Sequence, residues 1–235
     1  MRVIPWLCCL VTHISTVNAN VEKAIFLGPS PVSLANVLPN LADLRLDALS
    51  PTRSSSSLET QLAVEFPTTS SPRGVESWYI LQGLEEGRRY EVRICWPATS
   101  PTDFWLDTYS ITQVLDSSGL LASLARHSDQ RQELLSVFAN FERDNTPLTD
   151  QSILLLKVQA AASFYSANRT LMDHPPKVDV DIILDPFILN ILPQSLAPFC
   201  AYLIIAAIGA WYLSRYIYFY LLLIASEPLP KSHGD

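Results

Sequence analysis

Hydrophobic positions along the 235-residue chain follow three regimes. At the start, Met1-Arg2 precedes the apolar run Val3–Val11, and the small residues Val17-Asn18-Ala19 follow it. A positive start, an apolar stretch too short to cross a bilayer and an A-x-A-like site predict a signal peptide over residues 1–19. The mature chain then begins at Asn20. Near the far end, Leu196–Leu213 is uninterrupted by charge. Eighteen residues at about 1.5 Å each span roughly 27 Å, close to the hydrocarbon thickness, which predicts a transmembrane helix. Ser214-Arg215 separates it from a second apolar run, Tyr216–Ala225. Two placements compete. In the favoured one the span covers 196–214, and Arg215 snorkels to the cytosolic headgroups. In the other, one tilted helix runs to Ala225 and holds Arg215 within the membrane, at about 2.5–3.5 kcal/mol if near the centre. Together the two ends predict a type I single-pass protein with residues 20–195 luminal and the tail 226–235 cytosolic.

Between the ends the period changes to two. Thr60, Leu62, Val64 and Phe66 alternate with Gln61, Ala63 and Glu65; Trp78 and Ile80 continue the style. The cleanest case sets Tyr90, Val92, Ile94 and Trp96 against Glu91, Arg93 and Cys95. Val178, Val180, Ile182 and Leu184 alternate with Asp179 and Asp181. Such alternation predicts strands with one face in the core and one in water. Ser152–Tyr165 is a longer apolar stretch and reads as a buried strand. Asp116–Arg143 breaks the rhythm: Leu120, Leu121 and Leu124, then Leu134, Val137, Phe138 and Phe141, have helical spacing. Asp129 with Gln132 gives a loose capping signal there. Gly83-Leu84-Glu85-Glu86-Gly87-Arg88-Arg89-Tyr90-Glu91-Val92 resembles the corner opening the penultimate strand of fibronectin type III domains. In that corner the Leu packs under the turn and the Tyr hydroxyl bonds to upstream backbone. The expected fold is mainly β: a luminal fibronectin- or immunoglobulin-like β-sandwich with a helical insertion and one C-terminal transmembrane helix.

Composition narrows the function classes. Sixteen Lys/Arg against 23 Asp/Glu give a net charge of −7, which disfavours nucleic acid as a partner, since neutralising phosphates takes clustered cations. Cys8, Cys9 and Cys200 lie in the apolar ends; only Cys95 belongs to the middle, so no disulfide framework or zinc site is expected there. Cys95 reads as a half-buried inert thiol. The phosphate-loop, dinucleotide, nucleophile-elbow and zinc-protease motifs are absent from the sequence. His127 and His174 stand in polar, loop-like surroundings without a second ligand at metal spacing. Asp179-Val180-Asp181 has the form of the D-x-D of sugar-nucleotide transferases, but both aspartates fall on the wet face of an alternating strand. No catalytic, cofactor or metal residue is assigned. Asn168-Arg169-Thr170 is the usable glycosylation triplet, with Asn168 as acceptor.

The stiff segment Cys95–Phe104 carries Trp96 and Phe104, with Trp105 beside it. These aromatics either close the bottom of the core or form a contact surface, since exposed aromatic clusters mark interfaces. Three stretches carry a family resemblance: Asn20–Phe26; Ile94-Cys95-Trp96-Pro97-Ala98 with Pro101-Thr102-Asp103-Phe104; and Ala160–Tyr165 leading to Asn168-Arg169-Thr170-Leu171-Met172. In these the chain resembles the fungal GPI-mannosyltransferase II co-activators. The resemblance implies a single-pass endoplasmic reticulum subunit without catalytic residues. Its partner would be a multi-span mannosyltransferase that adds the second mannose to GPI precursors. A lipid-linked sugar needs a membrane-embedded site, which one helix cannot build, so binding is the role left. Candidate contacts are Trp96, Phe104, Trp105, Arg215, Tyr216 and Tyr220, with Arg215 pairing an acidic or carbonyl group of the partner. The alternative is a cargo receptor or trafficking adaptor with a luminal sandwich, which should carry a dilysine or diaromatic tail signal; the tail SEPLPKSHGD has neither.

Overall fold

The computed structural model describes residues 20–31, 44, 46–52, 56–137 and 152–225. The expected signal peptide 1–19 and tail 226–235 lie outside them.

Nine strands among the described residues form two sheets. In the first, β1 (Val21–Leu27), β5 (Arg89–Cys95), β8 (Val178–Ile188) and β3 (Ser57–Leu62) lie in that order, every pair antiparallel. The short β9 (Leu192–Pro193) turns back onto the end of β8. In the second, β2 (Asp47–Leu49), β4 (Val75–Leu81), β7 (Leu154–Ala162) and β6 (Thr102–Tyr109) follow one another, with β2 parallel to β4.

Alternation decides what faces inward. Tyr90, Val92 and Ile94 of β5 and Val180, Ile182 and Leu184 of β8 are buried against Tyr79, Leu81, Leu156 and Val158 of the second sheet. The domain is thus the expected two-sheet sandwich, and Ser152–Tyr165 does contain the buried strand β7.

A third layer covers the second sheet. α1 (Ile111–Asp116) and α2 (Ser118–Val137) follow β6. Ser110 starts α1 with a reciprocal cap: its hydroxyl accepts the Gln113 N–H at 3.2 Å, and the Gln113 side chain accepts the Ser110 N–H at 2.8 Å. Ile111, Val114 and Leu124 pack on Trp78, Ile80 and Leu155. The Trp78 indole N–H donates to the Ser123 hydroxyl at 3.0 Å. Arg131 pairs with Asp47, and the Ser128 hydroxyl donates to the Leu44 carbonyl at 3.2 Å, fixing α2 to the edge of the sheet.

This layer corrects four expectations. Trp78 and Ile80 are buried as the alternation expects, but under the helices, and the face expected to be wet is buried too: Tyr79 and Leu81 fill the sandwich interior. The helical region begins at Ile111 rather than Asp116, and Asp129 and Gln132 sit inside α2 instead of capping it; residues 138–143 lie outside the described set. His127 is on α2, not in a loop.

The predicted corner is present. The Glu85 N–H donates to the Tyr90 hydroxyl at 2.9 Å, and Leu84 is buried beneath. Gly87 N–H donates to the Gly28 carbonyl at 2.9 Å, and Gly28 N–H to the Arg88 carbonyl at 2.8 Å, so the corner is stapled to the end of β1. A Cβ on Gly28 would stand 2.1 Å from the Glu85 carbonyl oxygen, which only glycine permits. The strand it opens is not penultimate: β6 to β9 follow it, and β5 sits between β1 and β8.

After β9, a 3₁₀ turn (Gln194–Leu196) leads into the helix Ala197–Ala225, here α4. α3 is the short helix Arg169–Asp173. α4 does not end at Ser214 but passes through Arg215 unbroken to Ala225. Its 29 residues cover about 43 Å, more than the roughly 30 Å of bilayer hydrocarbon. It is the single described helix long and apolar enough to cross a membrane.

Candidate interaction surfaces

The expected contact residues fall in three separate places. Trp96 and Phe104 are brought together, their ring centroids 4.6 Å apart. Phe104 is 4% exposed and belongs to the sandwich core, so it supports Trp96 from beneath. Trp96 is half-buried and looks onto an open groove of about 610 Å³ on the outer face of the first sheet. Strand register builds this groove: Gln61 stands opposite Asp179, and Glu59 opposite Asp181, which neighbours Cys95. The Gln61 amide donates to the Asp179 carboxylate at 2.7 Å. Both aspartates are exposed, as the alternation predicts, and among the described residues none of the His, Cys, Asp and Glu clusters could hold a metal ion. Burial, with Asp181 adding and Arg93 opposing, raises the Cys95 thiol above its ordinary pKa and so disfavours the reactive thiolate.

Trp105 is not part of that cluster. Successive residues of β6 point to opposite faces, so Trp105 lies on the outer side of the second sheet, where the Arg73 guanidinium stands 5.6 Å from its ring centroid.

Arg215, Tyr216 and Tyr220 lie on α4. The Arg215 guanidinium is 5.9 Å from the Trp211 ring centroid and 5.4 Å from that of Phe219, one turn to either side. Rings at i−4 and i+4 shelter the cation and offset part of its desolvation. Tyr212, Tyr216 and Tyr220, also four apart, form a neighbouring exposed stripe. Asn168 caps α3: its side-chain oxygen accepts the Thr170 N–H at 3.0 Å, which leaves the amide nitrogen, the atom a glycan would take, outside that bond. The residue is exposed.

A fourth feature, where the domain meets α4, escaped the sequence reading. Glu91 and Asp185, opposed on β5 and β8, are each 5% exposed. Arg93 lies 3.6 Å from Glu91 and 3.9 Å from Asp185; Lys23 lies 3.4 Å from Glu91. The Ser195 N–H donates to Asp185 at 3.2 Å, and Arg93 donates to the Ser195 hydroxyl at 3.4 Å. Buried carboxylates persist where cations and N–H groups satisfy them. The network thereby fixes the turn from which α4 departs. Alternation labels Glu91 and Asp185 as wet; it cannot register that the returning chain covers them.

A family model described as GPI-mannosyltransferase II co-activator matches residues 10–217, in agreement with the resemblance read from the sequence. Among curated proteins the chain is similar to a GPI mannosyltransferase 2 subunit of Schizosaccharomyces pombe, 24% identical over 135 residues, which cover 57% of this chain and 52% of that protein. The chain thus spans about half the length of this curated relative. No solved structure matches.

Proposed function

Since the chain belongs to the GPI-mannosyltransferase II co-activator family, we propose that it is a non-catalytic subunit that binds and stabilises a multi-span catalytic subunit in the endoplasmic reticulum membrane. The enzyme it serves adds the second mannose to GPI-anchor precursors. The match over residues 10–217 carries this reading, because it runs through both the sandwich and most of the apolar helix. Physics supports it. One helix encloses no path for a lipid-linked sugar, so the transfer site must be built elsewhere. What this chain offers is surface: Trp96 at the rim of its groove, the tyrosine stripe of α4, and Arg215 between two rings.

In this reading the sandwich is luminal and α4 spans the bilayer. Arg215 comes about 27 Å after Ala197, near the cytosolic headgroups if the helix enters at the luminal ones. Asn168 is then on the side where a glycan is added. Arg215 faces an acidic or carbonyl group of the catalytic subunit, and Phe104 acts only by holding Trp96 up.

Affinity purification of the tagged chain in mild detergent should bring down a multi-span mannosyltransferase. Depletion should accumulate GPI intermediates bearing one mannose. Trp96→Ala and Arg215→Leu should weaken co-purification without unfolding the chain. A normal GPI profile after depletion, or mannose transfer by the purified chain alone, would overturn the assignment.

A further inference from the structure

We propose that the tip of the β8–β9 hairpin is a second membrane contact that inserts apolar side chains into the luminal leaflet beside α4. The tip breaks two local rules at once. Ile191 N–H donates to the Ile188 carbonyl at 3.1 Å, closing a turn whose central residues, Leu189 and Asn190, have φ of 52° and 57°. Such turns favour Gly, Asn or Asp at both positions. Asn190 conforms; Leu189 is a bulky residue in the left-handed region, and it is 86% exposed. Ile191 is 77% exposed and Ile188 39%. A strained backbone that holds a leucine in water makes sense where the leucine has a use outside the domain.

The tip is also held rigidly. The Asn190 side chain accepts the Arg89 N–H at 2.8 Å and donates to the Gly87 carbonyl at 3.1 Å, so the hairpin is bolted to the tyrosine corner. The Arg89 guanidinium stands 5.8 Å from the Phe187 ring centroid, at the base of the tip. On β1, which is separated from β8 by β5, Leu27 (57% exposed) lies opposite Arg89, and Ile25 (54%) opposite Glu91, on the outer face from which α4 departs. Outside the C-terminal helical segment, the other large exposed apolar side chains among the described residues are few and lie elsewhere, apart from Val21 on β1.

Continuity with the span identifies the occupant. From Ile191 to Ala197 the chain reaches at most about 20 Å even when fully extended. It is shorter than that here, because β9 pairs with β8 and Ser195 is tied to Asp185. A tip on so short a tether cannot leave the neighbourhood of the bilayer that α4 enters. Leu196 and Phe199, 44% and 58% exposed, continue the apolar surface into the helix. The acidic Glu85 beside the tip is paired with Arg88 at 2.6 Å, which lowers the charge cost of approach to the headgroups. Two contacts flanking one tether would set the domain's tilt on the membrane as well as its distance.

The inference rests on the reading that α4 spans the bilayer, and the test separates the two. The full chain, with Cys8, Cys9, Cys95 and Cys200 all changed to Ser, is reconstituted in phosphatidylcholine vesicles. A polarity-sensitive fluorophore is placed in turn at Leu189→Cys, at Ile204→Cys in the span, and at Ser70→Cys in the turn at the other end of β4. Lipid-borne nitroxide should quench the probes at 189 and 204 several-fold more than the probe at 70, while aqueous iodide should reach only 70. Iodide reaching 189 as freely as 70, with 204 protected, overturns the inference; iodide reaching 204 overturns the span instead. Protection at 189 that needs a co-reconstituted mannosyltransferase places the tip against protein and also overturns it. A second variant guards against a purely structural role. Leu189→Asn should leave the unfolding temperature unchanged or higher, since Asn suits positive φ, yet cut lipid quenching of a probe at Ile191→Cys. A lower unfolding temperature with quenching unchanged would make Leu189 a structural residue.

Discussion

The two sheets share one interior and differ in what covers their outer faces. The outer face of the first sheet is mostly charged and polar, with Glu59, Gln61, Asp179 and Asp181 around the groove and Lys23, Glu91, Arg93 and Asp185 toward the helix, and it bears the exposed apolar residues Ile25 and Leu27 on β1. The outer face of the second sheet carries Trp78, Ile80 and Leu155 under α1 and α2. One strand from each states the difference. In β5, the inner residues are fully buried and the outer ones are charged except Cys95. In β4, Ser77 to Leu81 are buried on both sides. A sheet with one wet face writes a period of two into its sequence; a sheet covered on both faces erases it. The first sheet is therefore free to meet a partner or a membrane, while the second is occupied by its own chain.

That difference can be broken at each face. Trp78→Ala removes a fully buried ring together with the hydrogen bond to Ser123, and should cost about 3–5 kcal/mol. Denaturant unfolding of the full chain in detergent should show it, with loss of helical signal ahead of the sheet signal if the third layer detaches first. Arg93→Met leaves Glu91 and Asp185 without their shared cation. With the Arg93 side chain 24% exposed, the cost should fall to about 2–3 kcal/mol, below that of a fully buried pair. It should also loosen the turn before α4, read as faster amide exchange at Ser195. Tyr90→Phe keeps the interior packing and deletes only the bond from Glu85, so the same unfolding assay should register about 1 kcal/mol. The smallest effect is one of pH. Burial first, then Arg131, lowers the His127 pKa, with Asp47 opposing. The folded chain therefore holds His127 neutral, while the unfolded chain takes up a proton below about pH 6.5. His127 thus contributes stability above that pH that is lost as the pH falls toward its lowered folded value. His127→Gln should flatten the unfolding midpoint between pH 7 and 5 relative to the parent chain.

What could be read in the sequence follows the same division. β3, β5 and β8 were legible because their outer residues are polar, and the tyrosine corner because its turn chemistry is local. The order of the strands was not, since nothing local in Val21–Leu27 specifies Arg89–Cys95 as its partner. Trp78 and Ile80 announced a strand but not its direction, because a second apolar layer looks like the first. The start of the helices was written in Ser110-Ile111-Thr112-Gln113, a capping box overlooked beside the louder leucine spacing. Among the contact residues, the sequence grouped Trp96, Phe104 and Trp105; strand geometry sends the last of these to another face. The clamp of Glu91, Arg93 and Asp185 could not be seen, since it depends on a turn returning over the sheet.

β8 has an order-of-events consequence. It is the strand that β5 and β3 both require as neighbour, and it ends at Ile188, just ahead of α4. During synthesis the earlier strands emerge long before it, and the first sheet stays split into a β1–β5 ribbon and a lone β3. The interior can close only when the ribosome has delivered nearly the whole segment ahead of α4, so the apolar helix follows while the domain is still assembling. A chain built of such distant pairings folds slowly and keeps apolar surface uncovered meanwhile. Folding of this domain therefore waits for β8, and truncations upstream of it should be held by chaperones rather than released as folded fragments.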